Sequence, residues 1–243
     1  MRKSEAGLTL IEILVAMSLL SMLSVGVLAA IRLGLDSVHN TDGRLMENRR
    51  IAGAQRALEN QLAGFMPLKA ICSGGTNGPP TPFPFFEGQT QSMRLISTYS
   101  LQEAWRGRPY VDEFQVIPGA DGAGVRLIVN EIPFTSPLMA GLSCEGMAPD
   151  PESGQSMPQF APIQIGAQSF VLADKLAWCR FSYLEHGKPP EDDHWRPNWV
   201  QPHWPMAIRV EMAPLDDNRV RLRPLTITSM IRVNSLPEMR YVD

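Results

Sequence analysis

The chain has 243 residues, 44% of them hydrophobic, which allows one sizeable folded domain or two small ones. Its formal net charge is −3, from 22 basic and 25 acidic residues, so it lacks the positive field that nucleic-acid binding requires, and we expect no nucleic-acid partner. The three cysteines, Cys72, Cys144 and Cys179, are too widely spaced for a zinc site or a disulfide framework.

The N-terminal part contains a long apolar segment with one charge inside it. From Leu8 to Ile31 the only charged side chain is that of Glu12. At about 1.5 Å per residue, a helix of this length spans the roughly 30 Å hydrocarbon core of a bilayer, so we predict a transmembrane helix over residues 8–31. An ionised carboxylate in a membrane costs free energy, which leaves two interpretations of Glu12: it has a functional partner, or it snorkels to the headgroups.

The residues around Glu12 favour the first interpretation. A short charged segment, residues 1–7, ends at Gly7 and is followed by "LTLIE" and the continuous apolar run. This pattern resembles the class III signal of type IV pilins and type II secretion pseudopilins. The resemblance implies that a prepilin peptidase removes residues 1–7 by cleaving after Gly7. The same enzyme would methylate the new N-terminal amine of Leu8, a position where phenylalanine is commoner in the family.

The resemblance also implies a role for the carboxylate of Glu12. In the family this residue faces the positively charged N-terminus of a neighbouring subunit when the helices bundle. Each buried charge then satisfies the other, as buried ions must. Glu12 is therefore interpreted as an assembly contact.

An amphipathic pattern predicts that the helix continues over residues 32–66. Its apolar residues recur at spacings of three and four, and Pro67 then ends the element. The recurring positions are Ile51, Ala54, Leu58, Leu62 and Phe65.

Residues 67–243 are predicted to form one β-rich domain. Glycines and prolines make residues 73–86 a loop, and residues 143–162 read as a long surface excursion. Alternating patterns and turn sequences predict strands at residues 93–99, 113–117, 125–130, 169–172, 176–184, 206–212 and 219–233. The fold class is therefore α+β, and the resemblance implies the pilin-like arrangement: a long N-terminal helix, transmembrane and then amphipathic, packed on antiparallel sheet.

The C-terminal third carries a narrower resemblance. "LAWCRFSYLE" from Leu176, a polar loop with tryptophans, and "WPMAIRVEM" from Trp204 resemble the J type of minor pseudopilin of the type II secretion pathway. The resemblance implies a cofactor-free subunit of the pseudopilus tip. Its partners would be the minor pseudopilins of the H, I and K types, the major pseudopilin and the prepilin peptidase. A minor pilin of a type IV pilus is the alternative.

The same resemblance implies a location and a redox environment. The protein would be a single-pass protein of the bacterial inner membrane, with its C-terminal domain in the oxidising periplasm, where disulfides persist. Cys72 and Cys144 fall in predicted loops that can meet, whereas Cys179 falls in a predicted strand, where a buried free thiol is common. We therefore expect a bridge between Cys72 and Cys144.

Tryptophans cluster in the loop that follows residue 184. Trp195, Trp199 and Trp204 lie close together in sequence, beside Arg196. Aromatic residues in such a loop form either a protein-interface hot spot or a small satellite core under the loop. The residues alone favour neither reading.

The sequence carries no catalytic signature. Gly-x-Ser-x-Gly, a phosphate-binding Gly-rich loop with lysine, His-Glu-x-x-His and Cys-x-x-Cys are all absent, so we expect a non-enzymatic protein. A less favoured alternative is a membrane-anchored periplasmic metal-binding domain. Its ligands would lie in a proline-rich loop, where no helix or strand fixes their spacing, and a solvated loop is therefore preferred. The candidate ligands are Glu191, Asp192, Asp193, His194 and His203.

Overall fold

The structure, a computed structural model, describes residues 10–72, 80–149, 154, 156–187, 192–199, 201–215 and 224–231, with residues 36–50 described as helical backbone. The chain divides into two units, Met1–Ile51 and Ala52–Asp243. The first unit contains most of one long helix. The second contains the last turns of that helix and all the described strands.

The long helix, α1, runs from Leu10 to Ala63 and has 54 residues. Within the second unit, Ala54, Leu58 and Leu62 recur at intervals of four, so they lie on one face of the helix. All three side chains are buried. The helix was predicted to reach residue 66 but ends at Ala63. Gly64 follows it, and a Cβ there would lie 2.6 Å from Ser97 Oγ, so glycine allows the close approach of the helix end to a strand.

The second unit is built largely from antiparallel strands. In chain order its elements are β1 Lys69–Cys72, β2 Thr81–Pro84, β3 Glu87–Gly88, β4 Ser92–Ser100, β5 Trp105–Pro118, β6 Val125–Pro133, α2 Pro137–Ala140, a 3₁₀ turn Gly141–Ser143, β7 Cys144–Pro149, β8 Ser156–Phe160, β9 Phe170–Glu185, β10 His194–Arg196, β11 Ala207–Pro214 and β12 Leu225–Met230. The main sheet has the order β12-β11-β9-β6-β5-β4-β3, with β10 paired to β9. The strand pairs β1-β2 and β7-β8 form two separate two-stranded antiparallel sheets, called ribbons below.

Each face of the main sheet has its own core. On one face Leu58 and Leu62 of α1 pack with Leu95, Phe114 and other buried residues of β4 to β11. Neighbouring residues in a strand point to opposite faces, so Ile96 and Val111 belong to the second core. That core also contains residues of β1, β2 and α2. Strands β4 and β5 are therefore covered on both faces.

Several predicted strands coincide with strands of the main sheet, although their bounds differ. Residues 93–99, 113–117 and 125–130 fall within β4, β5 and β6, and residues 206–212 overlap β11. The predicted strands 169–172 and 176–184 are one strand, β9, with an irregularity at Lys175, where φ is +54°. Of the predicted strand 219–233, residues Leu225–Met230 form β12, while residues 219–223 and 232–233 lie outside the described part.

The predicted loop after residue 184 contains a three-residue strand, β10, which pairs with the end of β9. Two other predicted non-strand segments also contain strands. The predicted loop 73–86 contains β2, and its residues 73–79 lie outside the described part. Among the described strands β2 pairs only with β1, and an edge strand of this kind tolerates prolines. The predicted excursion 143–162 contains the β7-β8 ribbon. Both corrections concern short ribbons, in which a weak apolar alternation is sufficient because only one face contacts the core.

Candidate functional site

The apolar half of α1 is the first candidate functional element. Among the described residues, one helix, Leu10–Leu35, is long and apolar enough to cross a bilayer, with 26 residues and a mean hydropathy of 2.4. None of the residues in its most apolar stretch is buried within the protein. Its serine hydroxyls at positions 18, 21 and 24 each donate to a backbone carbonyl three or four residues earlier, at 2.8 Å. The helix thus satisfies these hydroxyl donors internally, as a lipid environment requires.

Glu12 lies in the first described turn of α1, with an exposed side chain. No ion pair joins it to another described residue. Gly7 and Leu8, the predicted cleavage and methylation positions, lie outside the described residues. A carboxylate on an otherwise apolar helix surface needs a partner when that surface is buried in lipid or among other helices.

Comparison with known protein families finds a match at this same end of the chain. The family described as the Prokaryotic N-terminal methylation motif matches residues 2–28. The chain matches no curated protein. The matched motif is the signal of type IV pilins and pseudopilins, whose members are structural subunits. Together with the apolar helix and the antiparallel sheet that follows, it supports a place for this chain in the pilin-like class.

The structure joins Cys72 and Cys144 in a disulfide, the pair expected from the sequence. Their Cα atoms are 5.5 Å apart, although the residues are separated by 72 positions in the chain. The bridge connects the end of β1 to the start of β7, so it ties the two small ribbons together. Cys179 is a buried free thiol in β9.

The predicted metal-ligand candidates do not converge. Glu191 lies outside the described residues, and the exposed Asp193 contacts His186 Nδ1 at 2.9 Å. His194 Nε2 lies 3.0 Å from Glu185 Oε2, so this side chain has a different partner. Asp192 and His203 are exposed. Within the described parts of the chain, no group of three His, Cys, Asp or Glu side chains is placed to hold a metal ion.

The tryptophans of the loop divide between the two readings. Trp199 is buried, its backbone N–H donates to Gly88 O at 2.8 Å, and its indole N–H donates to His203 O at 2.7 Å. Trp204 is partly buried and packs against the core that contains Leu58 and Leu62. Trp195 instead stacks on the guanidinium of Arg209, 3.7 Å from the ring centroid. Trp199 and Trp204 are therefore core residues, while Trp195 remains on the surface of the sheet.

A buried row of charges crosses the main sheet and was not predicted from the sequence. Arg94 of β4 is directly opposite Glu87 of β3 on one side and Glu113 of β5 on the other, and it forms ion pairs with both. Asn130 of β6 continues the row and donates to Glu113 Oε2 at 3.1 Å. Burial raises the pKa of Glu87, an effect that the Arg94 charge opposes. The arginine thus neutralises carboxylates that the second core would otherwise leave unpaired.

A second polar group lies on the opposite face, beneath the end of α1, and it was also missed. It consists of Asp112 of β5, Glu131 of β6 and Gln61 of α1. The signal for both groups was the adjacent pair Asp112-Glu113, which lies between the apolar residues Val111 and Phe114 of β5. Adjacent strand residues point to opposite faces, so a strand covered on both sides must bury both carboxylates.

Proposed function

We propose that this protein is a J-type minor pseudopilin of a bacterial type II secretion system. It is a structural subunit of the pseudopilus tip complex, which supports export of folded periplasmic proteins across the outer membrane. The observation that carries the proposal is Glu12, which follows the methylation motif's glycine and lies on an apolar, exposed helix that has no other charge as far as Ile31. Such a helix is suited to insertion and bundling, and it is not a site for chemistry.

The proposed assembly step is electrostatic. The prepilin peptidase cleaves after Gly7, and the new N-terminus at Leu8 carries a positive charge. When two subunits bundle, the Glu12 carboxylate of one subunit pairs with the amine of its neighbour. Neither charge is then left alone in the low-dielectric environment, which would cost several kcal/mol per ion. The cytoplasmic ATPase of the machine supplies the energy for extension.

The J-type assignment rests on the C-terminal third. In the described parts of the segment that carries the resemblance, β9 forms antiparallel pairs with β10 and with β11. The protein would span the inner membrane once, with residues 67–243 in the periplasm. Its partners would be the H-, I- and K-type minor pseudopilins and the major pseudopilin.

The alternative is a minor pilin of a type IV pilus, which carries the same N-terminal motif. A clean deletion of the gene in its native host distinguishes the two functions, with culture-supernatant proteins, surface pili and twitching scored in parallel. Loss of exported proteins with pili intact supports the pseudopilin function. Loss of pili or twitching with export intact overturns it in favour of the type IV pilus.

A further inference from the structure

The carboxylate of Asp112, in the second unit, is buried without a hydrogen-bond partner among the described residues. Asp112 has 0% exposure, and neither of its carboxylate oxygens has a hydrogen-bond partner among the described residues. Buried polar side chains are nearly always hydrogen-bonded, and buried charges are paired or bind a cation. Asp112 is therefore an exception that requires an explanation.

The residues around Asp112 supply further oxygen atoms. Glu131 is directly opposite Asp112 across β5 and β6, so both side chains point to the face that α1 covers. Gln61 of α1 is fully buried, and its Nε2 lies 3.4 Å from Glu131 Oε1. The other amide atom, Gln61 Oε1, is buried and has no partner among the described residues. An unpaired amide oxygen and an unpaired carboxylate thus lie beside the same glutamate.

Among the described residues, the donors that hydrogen-bond to this cluster all bond to Glu131. Its oxygens accept from the backbone N–H of Leu101, from the backbone N–H of Gln102 at 3.2 Å and from Ser100 Oγ at 3.1 Å. No described Lys, Arg or His forms an ion pair with Asp112 or Glu131. Burial raises the pKa of Asp112 well above its usual range, and the Glu131 charge raises it further. Among the described residues, the cluster therefore has more acceptor oxygens than donors, and a proton or a bound cation is needed to neutralise Asp112.

We propose that Asp112, Glu131 and Gln61 bind one hard divalent cation between the end of α1 and the main sheet. Carboxylate and amide oxygens are the ligands that Ca²⁺ and Mg²⁺ prefer, and the cluster offers neither the imidazole nor the thiolate that Zn²⁺ favours. A cation here gives the unpaired oxygens of Asp112 and Gln61 a partner. It also links the last turns of α1 to β5 and β6.

This site is distinct from the loop at residues 191–203 and from the N-terminal assembly segment. Its ligands are two carboxylates and one amide, and the proposed set includes no histidine or cysteine. The proposal does not depend on the type II secretion function, since it rests on residues of the second unit only.

The test uses the full chain in detergent, first stripped of metal with EDTA. Equilibrium dialysis with Ca²⁺, and separately with Mg²⁺, measures the number of ions bound per chain, and thermal unfolding is followed in parallel. We expect one ion of at least one kind per chain. At an ion concentration about 100 times Kd, we expect Tm to rise by about 5–10 °C.

Asp112→Asn should abolish both binding and the rise in Tm, because the amide keeps the shape of the side chain without its charge. Asp174→Asn is the matched control, since Asp174 is a partly exposed carboxylate of β9 paired with Arg126, and it should bind as the wild type does. Gln61→Leu should weaken binding and serves if Asp112→Asn does not fold. The proposal is overturned if the folded wild type binds neither ion, or if Asp112→Asn binds as well as the wild type.

Discussion

Arg94 and Glu113 face each other directly across β4 and β5, and Arg94 Nε donates to Glu113 Oε1 at 2.9 Å. The arginine side chain is only 2% exposed, and its guanidinium also lies over the ring of Phe160 at 5.4 Å. It therefore joins the main sheet to the β7-β8 ribbon. The pair is held in a dry environment, where loss of one partner leaves the other uncompensated.

Replacing Arg94 with methionine should lower the free energy of unfolding by about 3–5 kcal/mol, because Glu87 and Glu113 would remain buried without a cation. Chemical denaturation followed by circular dichroism measures the loss. The matched control is Arg180→Met, since Arg180 pairs with Glu211 but is 57% exposed. That change should cost less than about 1 kcal/mol. Equal losses in the two variants would show that burial does not strengthen the Arg94 pairs.

Replacing Glu12 with alanine should reduce association with partner subunits at least tenfold, because the neighbour's N-terminal amine would lose its counter-charge. Co-purification from membranes after crosslinking measures association. The Tm of the second unit should not change, because Glu12 lies outside it. Glu59→Ala, which removes an exposed glutamate from the same helix, is the control and should assemble normally. Normal assembly of the Glu12 variant would refute the charge-pairing role.

Removal of the disulfide by the double change Cys72→Ala and Cys144→Ala should cost about 2–5 kcal/mol, because the bridge closes a long loop in the unfolded chain. Alkylation of the denatured wild type, followed by intact mass measurement, should add one group without reductant and three groups with it. Burial raises the pKa of the Cys179 thiol to about 12, so this cysteine should react slowly in the native protein. Three groups added without reductant would exclude the bridge.

Asp112 should make stability depend on pH when a chelator is present. Burial raises the pKa of Asp112 in the folded protein. The free energy of unfolding of the wild type, relative to Asp112→Asn, is therefore highest below the unfolded pKa of about 3.9. Between that pH and the folded pKa, the free energy of unfolding of the wild type should fall by about 1.4 kcal/mol per pH unit relative to that of Asp112→Asn. Urea denaturation in EDTA at several pH values measures the difference. Parallel curves for the two proteins would show that Asp112 does not titrate differently on folding.

The helix could be predicted from the sequence because its signals are strong and local. From Leu10 onward the predicted apolar run lies in α1, and the regularly spaced Ala54, Leu58 and Leu62 lie on one buried face of the same helix. Alternating apolar and polar residues, together with turn sequences, likewise predicted strands within β4, β5 and β6. The β7-β8 ribbon was missed because its segment is rich in proline and glycine, and pairing with one neighbour needs no regular pattern.

The buried polar groups could not be assigned because burial is a property of the assembled layers. Asp112 and Glu113 are an ordinary acidic pair in the sequence, and an exposed strand would place one of them in solvent. Both carboxylates are buried because α1 covers one face of the sheet and the second core covers the other. Arg94 is likewise an isolated basic residue until its two glutamates become its cross-strand neighbours.

The disulfide also determines how the protein responds to force. A pull applied between the α1 helix and the C-terminal strands travels through the bridge from Cys72 to Cys144 and bypasses the segment between them, 72 positions long. That segment includes β2 to β6 and therefore much of the main sheet. Under tension the oxidised chain would be about 250 Å shorter at full extension than the reduced chain. The bridge thus caps the length to which the subunit can stretch when its helix is pulled.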